Sequence, residues 1–146
     1  MADRIDTLKT LLTRLIDSRE GYREAVDHVD SPRLTEIFES FISRRDRDAA
    51  EVRAYLVKEG QTIADDGSLL AAAHRVFLDL KEKATGGRDA AVLQEVIRGE
   101  SHLLQTYEDA QDAAGAEAPE TLFLREQHAA LKSAIQQLET REDLAA

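Results

Sequence analysis

Polar residues interrupt the apolar stripes of this sequence near the middle of each long helical segment. The candidate site consists of these residues and a tyrosine that can add a hydrogen bond: Arg19, Glu20, Arg45, Asp48, Glu100, Tyr107 and His128. A charge inside a helical bundle is costly unless it is paired or bound to a metal ion. Because breaks in a hydrophobic pattern favour functional positions, we take these residues as the place where chemistry is expected.

A carboxylate-bridged di-iron or di-manganese centre is the first chemistry that such residues could perform. Bundles of that kind supply one Glu from each of two helices and a Glu-x-x-His motif from each of the other two. Glu20 and Glu100 match the single carboxylates, but no histidine in the sequence has a Glu three residues before it. Arg45 would also place a permanent positive charge where the cation should lie. We therefore expect no cofactor, with iron or manganese bound by Glu20, Asp48, Glu100 and His128 as the alternative.

An arginine–carboxylate network is the second chemistry that these residues allow. Two arginines would pair with three carboxylates, and a tyrosine or a histidine would add hydrogen bonds. The pairing arginines are Arg19 and Arg45, the carboxylates are Glu20, Asp48 and Glu100, and the hydrogen-bonding residues are Tyr107 and His128. Networks of this kind can fix the register and topology of a bundle. The sequence favours this interpretation over the metal site.

Phosphotransfer through His128 is a third hypothesis, because histidine phosphotransfer domains are also four-helix bundles. Such domains commonly carry Lys three residues after the histidine and then Gly. Here Lys132 follows four residues after His128, with no glycine nearby. Neither a glycine-rich phosphate loop nor a Gly-x-Ser-x-Gly motif occurs, so a nucleotide-binding enzyme or a hydrolase has little support.

Apolar residues spaced by three and four positions predict the helices that must position the candidate site. The predicted helices cover about residues 2–29, 32–59, 68–84, 89–113 and 119–142. Ser31 and Pro32 predict the cap and first residue of the second helix, and Gly60 its end. The segment 68–84 would carry the chain back along the bundle and make the second and third long helices parallel. We predict one all-α domain over residues 1–146, a ferritin-like four-helix bundle with a short crossover helix.

The composition limits the partners of the protein. Among 146 residues, 29 are Asp or Glu and 19 are Lys or Arg, which gives a formal net charge of −10. Such an acidic surface repels nucleic acid and anionic lipid. Cysteine is absent, and neither a signal peptide nor a membrane-spanning run is apparent. We therefore expect an acidic cytoplasmic protein that binds neither nucleic acid nor membranes.

Short motifs along the chain carry a resemblance to a known family. They are Glu20-Gly21-Tyr22, Phe38, Arg45, Leu80-Lys81, Thr85-Gly86-Gly87, Arg98-Gly99-Glu100 and Tyr107-Glu108. Over about residues 11–141 the chain resembles an uncharacterised bacterial family of ferritin-like four-helix bundles, a domain of unknown function. The resemblance implies one extra helix between helices two and three, an incomplete metal-ligand set and no established activity. We expect a non-enzymatic protein that acts through protein–protein contacts or as a homo-oligomer.

Overall fold

A computed structural model describes residues 3–63 and 88–140 of the chain. Within these ranges the chain forms four α-helices and no strand, which confirms the all-α prediction for them. The helices are α1 (Arg4–His28), α2 (Pro32–Lys58), α3 (Arg88–Ala114) and α4 (Thr121–Glu139). The crossover helix predicted over residues 68–84 lies outside the described residues.

The helix ends follow from local hydrogen bonding. The Ser31 hydroxyl accepts a hydrogen bond from the Leu34 amide at 3.2 Å, so Ser31 caps α2 and Pro32 is its first residue, as predicted. Gly60 follows α2 with φ of 84°, a left-handed conformation that glycine adopts without steric cost. At the other connection, α4 begins two residues later than predicted. The Thr121 hydroxyl donates to the Gly115 carbonyl at 2.6 Å, which holds the preceding residues in a turn.

Hydrogen bonds at the two ends of the bundle fix the helix directions. The Asp89 carboxylate accepts from the backbone amides of Asp30 at 2.8 Å and Ser31 at 2.9 Å, so α3 begins beside the α1–α2 turn. Glu120 accepts from Arg4, so α4 begins beside the start of α1. Helices α1 and α4 therefore run one way, and α2 and α3 run the other. Because α2 has 27 residues, its end lies about 40 Å along the bundle from the start of α3.

Two apolar clusters form the core. Helix α1 packs against α2 and α3, and α3 packs against α4. One cluster lies toward the start of α1 and includes Leu8, Leu11, Leu15, Val52, Leu56, Leu103, Leu124 and Leu131. The other lies toward the α1–α2 turn and includes Tyr22, Ala25, Leu34, Phe38, Phe41, Val92, Leu93 and Leu138. Each large apolar side chain buried in these clusters contributes about 1.5–3 kcal/mol. The clusters hold the polar residues between them in place.

Candidate functional site

A layer of polar side chains separates the two apolar clusters at mid-height. It contains Ser18 from α1, Arg45 and Asp48 from α2, and Glu100 from α3, and we call these four residues the charged layer. On each of these helices the layer residues fall between the residues of one cluster and those of the other. The layer is therefore positioned by the apolar packing above and below it.

A buried ion pair forms the centre of the charged layer. Arg45 is 1% exposed and Glu100 is 2% exposed, and the Arg45 Nη2 donates to the Glu100 Oε2. The Ser18 hydroxyl donates to the Glu100 Oε1 at 2.7 Å and accepts from the Arg45 Nε at 3.2 Å. Burial is the largest single influence on the pKa of Arg45 and lowers it, but the charge and hydrogen bond of Glu100, together with smaller contributions from Tyr22 and Tyr107, raise that pKa overall. Both groups are held by charge-assisted hydrogen bonds inside the protein.

Asp48 is the second buried carboxylate of the charged layer and is held less firmly. Its Oδ2 accepts from the Arg44 Nε at 3.2 Å, and the Arg45 Nη1 lies 3.7 Å from the same oxygen. Burial raises the pKa of Asp48 by more than the charges of Arg44 and Arg45 lower it. Its ionised form is therefore less favourable in the folded protein than in water.

Tyr22 closes the charged layer on the side of the α1–α2 turn. Its ring packs against Phe38 and Phe41, with ring centroids 5.6 and 5.5 Å away. Its hydroxyl is enclosed, and no described residue meets it with hydrogen-bonding geometry. Burial, and then the charge of Glu100, raises the pKa of Tyr22. The phenol therefore stays neutral beside the ion pair.

A hydrogen-bonded chain of three side chains lies on the other side of the charged layer. The Tyr107 hydroxyl donates to the Gln127 Oε1 at 2.6 Å, and the Gln127 Nε2 donates to the Glu51 Oε1 at 2.7 Å. Burial, and then the charge of Asp48, raises the pKa of Tyr107. This chain joins α3 and α4 to α2, and it leaves the phenol neutral as well.

The remaining candidate residues lie on the flanks of the bundle. Arg19 donates to Glu20 at 3.0 Å and to Asp46 at 2.8 Å, and its side chain is partly exposed. Glu20 also accepts from Arg23 at 2.5 Å. The His128 Nε2 lies 3.1 Å from the Glu108 Oε2 on the outer side of α3 and α4. The structure thus brings Arg45, Asp48 and Glu100 together, places Tyr107 nearby, and sets Arg19, Glu20 and His128 apart.

Sequence reasoning missed Ser18. Between Leu15 and Tyr22, spacings of three and four allow either position 18 or position 19 to face the core, and Arg19 is the residue predicted there from the sequence. In the structure the small Ser18 side chain faces inward, where the Arg45 guanidinium fills the core. The feature that could have identified Ser18 is its small size, because the long Arg45 side chain leaves room only for a small residue opposite it. On α4, Gln127 is buried, whereas its neighbour His128, which the sequence predicts for the candidate site, is only partly buried.

The charged layer does not fit a di-metal centre. Within residues 3–63 and 88–140, no three His, Asp or Glu side chains are grouped closely enough to hold a metal ion. Each candidate ligand has its own protein partners: Arg19 and Arg23 for Glu20, Arg44 for Asp48, Arg45 and Ser18 for Glu100, and Glu108 for His128. The Arg45 guanidinium contacts the Glu100 carboxylate, which a metal cation would need as a ligand.

A second cluster, which we call the end clasp, joins the helices at the end of the bundle where α1 begins. Arg4 donates to Glu120 and, at 2.8 Å, to the Tyr55 hydroxyl. That hydroxyl lies 2.7 Å from Glu59 and 3.0 Å from Glu120. Burial, and then the hydrogen bond with Glu59, raises the pKa of Tyr55 to about 12. The clasp fastens the start of α4 to α1 and α2.

The fold and the charged layer place this protein among all-helical bundles, with an ion pair in its core. The chain belongs to a family described as a domain of unknown function (DUF2383), whose sequence model matches residues 3–113. Helix α4 lies beyond the matched residues. No curated protein and no solved structure matches the chain. None of the helices in the described ranges has a stretch long and apolar enough to cross a membrane.

Proposed function

We propose that this chain is a ferritin-like bundle protein of the bacterial cytoplasm that catalyses no reaction itself and acts through contacts with other proteins or with copies of itself. The observation that carries the proposal is the ion pair of Arg45 with Glu100. In a metal-binding bundle the central carboxylates are neutralised by cations that do chemistry. Here an arginine side chain, which stays protonated, neutralises the carboxylate. The core charge then serves the fold rather than a reaction.

The helix directions support the ferritin-like part of the proposal. Ferritin-like bundles have one long connection, and it makes the two helices that it joins run parallel. Here α2 and α3 run parallel, so the end of α2 and the start of α3 lie at opposite ends of the bundle. A bundle joined only by short loops would instead alternate in direction.

A degenerate metal or redox site is the second candidate function, with iron or manganese bound by Glu20, Asp48, Glu100 and His128. The observation that favours it is the burial of Asp48 and Glu100 in one layer on different helices. Against it stand the arginines that contact both carboxylates. Binding a cation there would require Arg45 to move away from Glu100.

Metal loading separates the two functions. The full chain, purified without a metal-affinity tag, is offered Fe(II) or Mn(II) without oxygen, and retained metal is measured by mass spectrometry. We expect retention far below one ion per chain, equal for the wild type and Glu100→Gln. Glu95→Gln, on the same helix and paired with Arg98 at the surface, is the matched control. Near-stoichiometric metal that is lost in Glu20→Ala and Glu100→Ala but kept in the control would contradict the proposal.

A further inference from the structure

Helices α1 and α3 lie side by side and leave a groove along their outer surface, which we call the α1/α3 groove. Its inner part is a depression of about 220 Å³ over the charged layer, lined by Ser18, Gly21, Tyr22, Val96, Gly99 and Leu103 among others. Its outer part, of about 550 Å³, is lined by Asp6, Thr7, Thr10, Thr106, Asp109 and Asp112 among others. Arg14 lines both parts, so the groove is continuous from one to the other.

Two glycines on facing helices shape the inner depression. Gly21 and Gly99 lie in the interiors of α1 and α3, where glycine is destabilising relative to alanine. A Cβ atom added at either position would meet no atom of the described residues within 4 Å, and both glycines have negative φ. Neither steric room nor backbone conformation in these residues therefore requires glycine. Val96 and Leu103 supply apolar surface to the depression between the two glycines.

The outer part of the groove is acidic. Asp6, Asp109 and Asp112 are exposed there, and Arg14 is the only Lys or Arg among the described residues that line either part. The Gln105 amide donates to Asp109 at 3.2 Å without neutralising its charge. Complementary charge across an interface steers association and fixes register. The groove thus favours a cationic occupant with an apolar anchor.

We propose that the α1/α3 groove docks a basic amphipathic helix of another protein. An apolar side chain of that helix fills the depression between Gly21 and Gly99, and its Lys or Arg residues face Asp6, Asp109 and Asp112. From Asp6 to Tyr22 the groove runs about 24 Å, the length of a helix of four to five turns. A helix that lies between two others packs the ridges of its side chains into the groove between them. An amphipathic helix in a groove is a recurring mode of peptide recognition.

The net charge of the protein favours a basic helix over a second copy of the chain as the occupant of the groove. The chain carries a formal net charge of −10, so an acidic groove repels another copy of the same chain. The inference rests on the proposed function, because it names the surface and the kind of partner for a protein that acts through contacts.

The test uses the full chain and a fluorescent helical peptide of about 18 residues made of Leu and Lys in an amphipathic pattern. Fluorescence anisotropy is followed at about 0.15 M salt, where long-range attraction between exposed charges is largely screened. We expect saturable binding, and none to the matching Leu–Glu peptide. The pair Asp109→Lys and Asp112→Lys should weaken binding at least about tenfold, whereas Glu36→Lys with Glu39→Lys, the same change on exposed sites of α2, should weaken it less than about threefold.

A second pair of variants tests the depression. Gly99→Leu fills it and should weaken peptide binding at least about tenfold, while Gln94→Leu, on an exposed site of α3 that does not line the groove, should leave binding unchanged. Circular dichroism melting confirms that each variant is folded. Absence of binding, equal losses in the two lysine pairs, or an unaffected Gly99→Leu protein would overturn the inference. So would dimerisation of the wild type that Gly99→Leu abolishes, since a second copy would then fill the groove. Metal retention by the wild type would instead contradict the proposed function and is measured separately.

Discussion

The charged layer and the end clasp are built from the same chemical groups. Each joins an arginine, a glutamate and a hydroxyl from different helices. In the layer both charged partners are buried, with Arg45 1% and Glu100 2% exposed. In the clasp Glu120 is fully buried, but the Arg4 side chain is 36% exposed.

The difference in exposure sets how much each cluster depends on its pairing. When one partner of a fully buried pair is removed, the other charge is left without water or a counter-charge. An arginine at the surface can instead turn toward solvent, so its lost pairing is partly replaced by hydration. We therefore expect the layer to dominate stability, although the clasp contains more hydrogen bonds.

Glu100→Gln should produce the largest loss. It removes the charge that contacts Arg45 most closely and leaves Asp48, 3.7 Å from the Arg45 Nη1, as the other buried counter-charge. The free energy of unfolding should fall by about 3–5 kcal/mol. Urea unfolding followed by circular dichroism measures it. Glu95→Gln is the matched control and should change stability by no more than about 0.5 kcal/mol, because Glu95 pairs with the exposed Arg98. Equal losses in the two variants would place Glu100 in an environment like the surface.

Glu120→Gln should produce a smaller loss. The variant keeps a hydrogen-bonding side chain but removes the charge facing Arg4, and we expect a loss of about 1.5–3 kcal/mol. The same unfolding experiment gives the value. A loss larger than that of Glu100→Gln would reverse the comparison and make the clasp the stronger of the two clusters.

The charged layer was easier to predict from sequence than the end clasp. Arg45 and Glu100 interrupt otherwise apolar stripes, and a charge in such a stripe is a visible break of pattern. Arg4 and Glu120 lie at helix ends, where charged residues are ordinary, so nothing marks them as partners. Ser18 was missed because its role depends on the long Arg45 side chain that packs opposite it, and the sequence does not show which residues of two helices lie opposite each other. The spacing of apolar residues predicted the helices. Pairing between helices also depends on how each helix is rotated about its own axis, and the spacing does not decide which of two adjacent residues faces the core.

Alanine at Gly21 or Gly99 should stabilise the protein. Each replacement removes the helix penalty of glycine, and the added methyl group meets no described atom, so we expect a gain of up to about 1 kcal/mol. Thermal melting measures the gain. Both glycines adjoin residues at the charged layer, Tyr22 and Glu100. If either alanine destabilised the protein, the added methyl group would have to disturb the packing of the charged layer beside the α1/α3 groove.

Asp48→Asn should have the smallest effect and the opposite sign to Glu100→Gln. The pKa of Asp48 is raised by burial above its unfolded value of about 3.9, so its ionisation costs stability as pH rises through the interval between the two values. The stability of the asparagine variant relative to the wild type should therefore rise as pH increases above about 3.9, with no gain below that value.

Urea unfolding at several pH values tests this dependence, with Asp46→Asn at the surface as the control. A loss of stability in Asp48→Asn at neutral pH would show that its bonds to Arg44 and Arg45 outweigh its burial.

The most direct test of the account is a double-mutant cycle between Arg45 and Glu100. Arg45 is the counter-charge of Glu100 in the core, and we expect the two side chains to contribute to stability as one unit. Arg45→Met and Glu100→Met should each lower the free energy of unfolding by about 3–5 kcal/mol, and the double variant should lose far less than the sum. Losses that simply add would contradict the account, because they would show that each side chain is stabilised by something other than its partner.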